Sequence, residues 1–121
     1  MKSCLLIDDS RIVRQIARRI LTGLGFDCTE AEDGETGIGA CRASMPDLIV
    51  LDCNMPVMNG FEVLEKIRRL DRGHSPKILF CTTESDMRHM GQARRSGADE
   101  YIMKPFEEEM FRTKLQQIGL L

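Results

Sequence analysis

Four short apolar runs in this chain each end on residues that can do chemistry. Cys4–Ile7 leads into Asp8 and Asp9, and Leu48–Leu51 leads into Asp52. The run opening at Lys77 ends in Thr82 and Thr83, and the one opening at Glu100 delivers Lys104. Short β-branched and leucine-rich runs read as buried strands. In open α/β sheets the crevice beyond the strand carboxyl ends is where ligands bind, so these scattered positions converge on one place. Carboxylates crowded there repel one another and are costly to desolvate. A hard divalent cation such as Mg2+ resolves both problems, because it accepts one or two carboxylates and otherwise keeps water and phosphate oxygens. With its charge screened in this way, a carboxylate can attack phosphorus and become an acyl phosphate. On this reading Asp52 is the nucleophile and Asp8 and Asp9 hold the cation beside it. Lys104 offers a compact positive charge to a phosphoryl oxygen, and the Thr82 hydroxyl donates a further hydrogen bond.

The elements that must position these groups follow from the hydrophobic pattern. After the first strand, Ser10 is a helix N-cap. Ile12, Val13, Ile16, Ala17, Ile20, Leu21 and Leu24 then recur at the spacing of one helix face, ending near Gly23 or Gly25. Phe26–Ala31 is a more polar strand, expected at an edge of the sheet. Glu32-Asp33-Gly34 is a turn, and Glu35–Ser44 a short helix weakened by Gly37 and Gly39. Pro46-Asp47 opens the central strand to Asp52. Asn59-Gly60 is a turn signal, followed by a helical stripe of Phe61, Val63, Leu64, Ile67 and Leu70. Lys77–Thr82 is a fourth strand. Asp86–Ser96 is a poor helix with Gly97 as its C-cap, and Glu100–Met103 is a fifth strand. Glu107–Glu109 open a last helix at the positive end of its dipole, with Phe111, Leu115 and Ile118 on its inner face. Strand–helix alternation five times over predicts a parallel sheet covered on both faces.

Bulk properties exclude several classes of function. A chain of 121 residues, 42% hydrophobic and 30% charged, fits one soluble globular domain. The net charge of −2 gives no drive toward nucleic acid or a membrane surface. No apolar run approaches the roughly 20 residues of a membrane span, and the N-terminus lacks a signal-peptide core. A cytoplasmic location is expected. The five cysteines (Cys4, Cys28, Cys41, Cys53, Cys81) show no metal-ligand spacing with each other or with the two histidines, and read as buried reduced thiols.

LLIDDS, LIVLDCNMPVMNGFE, LFCTTE and YIMKPF, in this order and spacing, resemble the receiver domain of two-component response regulators. The resemblance covers essentially the whole chain and is nearest to single-domain, CheY-like chemotaxis regulators. It implies a flavodoxin-like (βα)5 fold with a five-stranded parallel sheet in the order 2-1-3-4-5. Residues 1–121 are then one receiver domain with no output domain. The resemblance implies a histidine kinase as phosphodonor to Asp52 and a Mg2+ ion held by Asp8, Asp9, Asp52 and the backbone carbonyl of Asn54. Lys104 matches the phosphate-binding lysine, and its bond to Pro105 is expected to be cis. Thr82 and Tyr101 match the switch pair, while Asn54, Thr83 and Glu84 flank the site at positions that tune phosphoryl lifetime. Phosphorylation is expected to draw Thr82 inward, turn Tyr101 from exposed to buried, and remodel the face of helix 4, strand 5 and helix 5 for a downstream protein. A phosphatase is a further partner, and DNA is not. A monomer is expected, and no turnover of an external substrate.

Other readings of the same residues stand beside this one. An aspartate-nucleophile phosphohydrolase would carry its nucleophile in a DxDx[TV] motif on the first strand, where this chain has IDDSR. A phosphate sink or phosphorelay shuttle would use the same chemistry with no downstream target. Arg88, Arg94 and Arg95 on helix 4 allow binding of a cyclic dinucleotide, although exposed arginines are usually solvated. Arg11, Arg14, Arg18 and Arg19 read as a solvated helix face, and His74 and His89 as surface residues. Met87 and Met90 are candidates for an adaptable contact face.

Overall fold

In the computed structural model, which describes residues 1–83 and 90–121, five strands alternate with five helices. The elements are β1 (Lys2–Ile7), α1 (Arg11–Gly23), β2 (Phe26–Ala31), α2 (Gly34–Ala43), β3 (Leu48–Asp52), α3 (Gly60–Arg69), β4 (Lys77–Thr82), α4 (Met90–Arg95), β5 (Glu100–Met103) and α5 (Glu108–Gln117). The strands form one parallel sheet in the order β2-β1-β3-β4-β5, with β2 and β5 at the edges. The direction of winding reverses between β1 and β3. The loops that leave these neighbouring strands therefore diverge and open a crevice at their carboxyl ends.

The period of two along each strand splits the core between the two faces of the sheet. Leu5, Ile7, Ile49, Leu51, Ile78 and Phe80 pack with Ile38 of α2, with Val63, Leu64 and Ile67 of α3, and with Met90 and Ala93 of α4. Leu6, Leu48, Val50, Leu79 and Ile102 pack on the other face with Ala17 and Leu21 of α1 and Phe111 and Leu115 of α5. Every residue of β3 is buried. Each fully buried leucine or isoleucine there contributes about 1.5–3 kcal/mol relative to exposure. All five cysteines are buried and reduced.

Several local expectations are corrected. The stripe along α1 is buried only in its second half: Ile12 and Ile16 are 69% and 45% exposed, whereas Ala17 and Leu21 are covered. Val13 and Ile16 line a cavity with Thr83, Lys104, Pro105 and Phe106, so this part of the stripe is not pressed against the sheet. Arg14 is not a solvated residue, because its side chain is only 11% exposed and pairs with Glu30. Asp33 and Asn59, read as turn residues, are N-caps whose side chains accept from Thr36 N and Glu62 N. Gly37 weakens α2 by propensity, but a Cβ there would stand 2.5 Å from Ile7 Cδ1. The glycine thus lets α2 approach β1. At the other end, Leu120 packs on the α1–α5 face of the core while Leu121 is half exposed. Among the described residues no helix is long and apolar enough to cross a membrane.

Candidate functional site

Among the described residues, the crevice at the β1–β3 junction gathers three acids and one base. Asp8 and Asp52 are buried and Asp9 is exposed; each offers a carboxylate oxygen, and these oxygens lie within 4.8 Å of one another. Lys104, carried past the end of β5, places Nζ 3.0 Å from Asp8 Oδ2 and 3.2 Å from Asp52 Oδ1. Its peptide bond to Pro105 is cis. The Lys104 amide donates to the Thr82 carbonyl at 2.7 Å, which ties the lysine-bearing segment to the end of β4.

Backbone donors fix the two buried carboxylates. The Ser10 amide donates to Asp8 Oδ1 at 2.8 Å, and the Asn54 amide donates to Asp52 Oδ1 at 3.2 Å. Below Asp52 the chain turns tightly onto α3. Gly60 N donates to the Cys53 carbonyl, and a Cβ at Gly60 would collide with the Asp52 carbonyl oxygen and stand 2.6 Å from Cys53 Cα. Only glycine fits this approach of helix to strand end. Just beyond Asp52, Val57 has φ 68 and full exposure, and Met58 N donates to the Pro56 carbonyl at 2.8 Å. That i→i+2 bond closes a γ-turn about Val57, a strained conformation for a β-branched residue.

The charges are unbalanced. Burial, and then the nearby Asp8 carboxylate, push Asp52 up to about 6 against the pull of Lys104 and the Asn54 amide. Burial also opposes the charge on Lys104, but Cys81, Asp52 and Asp8 outweigh it and hold the ammonium above the ordinary lysine range. Burial pushes the Cys81 thiol itself far up, so it is neutral near pH 7 and the carboxylates carry the effect there. Among the described residues, one ammonium facing three carboxylates leaves net negative charge in a largely buried place. An all-oxygen acidic donor set of this kind suits a hard divalent cation.

Thr82 is 1% exposed. Its hydroxyl lies 3.2 Å from the Thr83 carbonyl, to which it donates, and 3.6 Å from Cys53 Sγ, from which it accepts. Thr83 is exposed beside it, and Asn54 is exposed past Asp52. Tyr101 is half-buried, with Lys114 Nζ 4.3 Å and Arg94 Cζ 5.8 Å from its ring centroid. Glu100 holds both cations there, bonding Arg94 at 2.8 Å with Lys114 at 3.6 Å. Arg95 is exposed and Met90 buried. Glu84, Met87, Arg88 and His89 lie outside the described residues.

The structure thus brings Asp8, Asp9, Asp52, Thr82 and Lys104 together and sets Tyr101 apart on the β5 edge. Sequence reasoning missed Arg14, whose Nη1 donates to the Asp8 carbonyl at 2.5 Å while Nε bonds Glu30 at 2.9 Å. The signal was the i, i+4 pair Arg14 and Arg18 facing an acid near the end of the neighbouring edge strand.

Residues 4–116 match the family model described as the response regulator receiver domain. The chain is 32% identical over 115 residues to the chemotaxis protein CheY of Pseudomonas aeruginosa, covering 94% of this chain and 93% of that one. It superposes on chemotaxis protein CheY4 of Vibrio cholerae with a TM-score of 0.91 and 31% identity, covering 98% of each chain. The receiver domain of a sensor histidine kinase from Pseudomonas aeruginosa has the same fold, with a TM-score of 0.86 and 24% identity over 96% of this chain and 95% of that one. That structure carries a magnesium ion coordinated in its active-site cleft.

Proposed function

From the premise that this chain belongs to the response regulator receiver domain family, a family of phosphoacceptor signalling domains and not of classical enzymes, we propose that Asp52 is its phosphoacceptor and that phosphorylation switches its binding to another protein. The observation that carries the reading is the Lys104 ammonium bridging Asp8 and Asp52 inside a cluster of three carboxylates. Asp8, Asp9, Asp52 and the Asn54 backbone carbonyl would hold a Mg2+ ion, which supplies charge screening and a Lewis acid for the phosphoryl oxygens when bound.

An Asp52 carboxylate oxygen attacks phosphorus of a phosphohistidine on the donor kinase. The new P–O bond makes an acyl phosphate as the P–N bond breaks, and the imidazole leaves as it takes up a proton. Lys104 bonds a phosphoryl oxygen in place of part of its contact with Asp52. Water later attacks the same phosphorus, releasing inorganic phosphate and restoring the carboxylate. Asn54, Thr83 and Glu84 set how readily that water reaches the phosphoryl group.

The Thr82 hydroxyl gives up the Thr83 carbonyl for a phosphoryl oxygen, a stronger acceptor because it is charged. Thr83 moves with it, and Tyr101 packs inward. The surface of α4, β5 and α5 changes shape for a downstream protein, by an amount set by the difference in phosphoryl interaction between the two states. The resemblance to CheY proteins favours a chemotaxis target, with a kinase and a phosphatase as the other partners, a monomeric chain and a cytoplasmic setting.

The test is incubation with acetyl phosphate, with and without Mg2+, on wild type and Asp52→Asn, read by intact mass. The expected result is a Mg2+-dependent gain of one phosphoryl group in wild type alone. Equal labelling of Asp52→Asn would refute the assignment.

A further inference from the structure

The end of β1 is held by a feature outside the receiver motifs. Glu30, near the carboxyl end of the edge strand β2, receives Arg14 Nε at 2.9 Å and Arg18 Nη1 at 2.7 Å. The two arginines are one helical turn apart on α1, and their hydrogen bonds, that of Arg18 first, hold the Glu30 carboxyl below the usual range against its burial. Arg14 then uses a second nitrogen on the Asp8 backbone carbonyl at 2.5 Å. The Asp8 amide is already taken by the Ala31 carbonyl at 3.2 Å. Both main-chain groups of Asp8 are therefore fixed to β2, one directly and one through Arg14 and Glu30. Arg18 shares Glu30 but reaches no part of Asp8, and its side chain is 49% exposed against 11% for Arg14.

We propose that Arg14 is a positioning residue for the cation pocket, setting the direction of the Asp8 carboxylate by holding the Asp8 carbonyl. The inference rests on the proposed Mg2+ reading of that pocket. Asp8 lies past the last ladder pairing of β1 with β2, Ile7 with Ala31, so on the side its carbonyl faces, Arg14 and not a strand holds that carbonyl. A carbonyl free to rotate carries its own Cα and carboxylate with it. Partners one shell behind metal ligands commonly change metal affinity by about 10–100-fold. The sign of the effect separates positioning from simple electrostatics. Removing a cation near an acidic pocket strengthens cation binding by Coulomb's law. Positioning demands that removing Arg14 weakens it.

Mg2+ is titrated into wild type, Arg14→Met, Arg18→Met and Arg14→Lys, followed by backbone amide resonances at a temperature where each variant is folded. Arg14→Met is expected to bind Mg2+ about tenfold or more weakly, with the Asp8, Asp9 and Ser10 amides altered before Mg2+ is added. Arg18→Met, which removes equal charge and the other half of the Glu30 pair, is expected to bind as tightly as wild type or slightly more so. Arg14→Lys keeps the charge but cannot span Glu30 and the Asp8 carbonyl together, so it is expected to fall between. Should Arg14→Met not fold, Arg14→Lys against Arg18→Met decides the question. Unchanged or tighter binding by the Arg14 variants, or equal weakening by the Arg18 variant, overturns the inference and leaves the phosphoacceptor reading intact. Failure of wild type to bind Mg2+ overturns both.

Discussion

Asp52 makes the metal-free protein less stable near neutral pH, and replacing it with asparagine should show this. Burial and the Asp8 carboxylate raise its carboxyl from 3.8 to about 6. At 1.36 kcal/mol per pH unit, its anion costs the folded state about 3 kcal/mol above pH 6. The sign follows from proton binding. Between 3.8 and about 6 the native state holds the proton more tightly than the unfolded chain, so stability contributed by this group rises as pH falls through 6 and is complete below 3.8. The asparagine side chain of Asp52→Asn carries no charge and keeps an oxygen for the Asn54 amide and Lys104, and Lys104 keeps Asp8. The raised value is already net of the attraction of Asp52 to Lys104, so losing that contact subtracts nothing further. The variant should therefore be more stable by about 1–3 kcal/mol at pH 7.5. The assay is urea unfolding followed by far-UV circular dichroism in EDTA, from pH 4 to 8. The difference between the two proteins should be largest at pH 7–8 and nearly vanish by pH 4. Added Mg2+ should raise wild type toward the variant while moving the variant less, since binding to the native state alone stabilises it by mass action. A variant less stable than wild type at pH 7.5, or a pH-independent difference, refutes the account of an uncompensated buried carboxylate.

Other outcomes follow from single positions. Val57, strained at φ 68 and fully exposed, loses no packing when replaced, so Val57→Asn should raise the free energy of urea unfolding by about 1 kcal/mol. Gly60→Ala puts a methyl against the Asp52 carbonyl and Cys53 Cα; it should cost about 3 kcal/mol or more by the same assay and lower phosphorylation by acetyl phosphate. Thr82→Ala should still accept a phosphoryl group by intact mass. It should lose most of the accompanying change in fluorescence from Tyr101, the sole tyrosine in a chain without tryptophan; a full change would refute the Thr82 link. Asn59→Ala removes the cap bond to Glu62 N and should cost about 1 kcal/mol in thermal unfolding.

The sheet is legible in the sequence because its strands are short, apolar and punctuated. Phe26–Ala31, Lys77–Thr82 and Glu100–Met103 occupy the spans that the pattern predicts. The convergence of Asp8, Asp52, Thr82 and Lys104 follows from their places at strand ends, since a parallel sheet sends all such ends to one side. Three things are less legible. A helical stripe reports which residues share a face, not how much of the helix overlies the sheet, so Ile12 and Ile16 look like core. Propensity counts Gly37 against α2, while the close approach to Ile7 that needs a glycine is a tertiary fact. Arg14 looks solvated because a guanidinium is usually exposed, and its two acceptors, Glu30 and the Asp8 carbonyl, lie on other elements. Spacing along one helix cannot reveal a partner that only the fold supplies.

These misses share a cause that bears on the site. What the sequence shows plainly is the inventory of groups that meet the ligand. What it hides is the scaffolding that aims them: a glycine under Asp52, a γ-turn at Val57, a cysteine beside Thr82 and an arginine behind Asp8. The first inventory is a matter of residue type at strand ends, and chemistry restricts it to few choices. The second is a matter of contacts between elements far apart in sequence, where many residue types solve the same problem. Chains that share the acids and the lysine can therefore differ in cation affinity, phosphoryl lifetime and the balance between the two states of Thr82. In this chain the thiol of Cys53 donates to the Thr82 hydroxyl while that hydroxyl points at the Thr83 carbonyl. Removing the thiol with Cys53→Ala should therefore release Thr82 more easily and increase the fraction switched at a given level of phosphorylation. A Tyr101 signal plotted against phosphoryl occupancy measures that fraction directly, and a curve unchanged from wild type would mean that Cys53 only fills space.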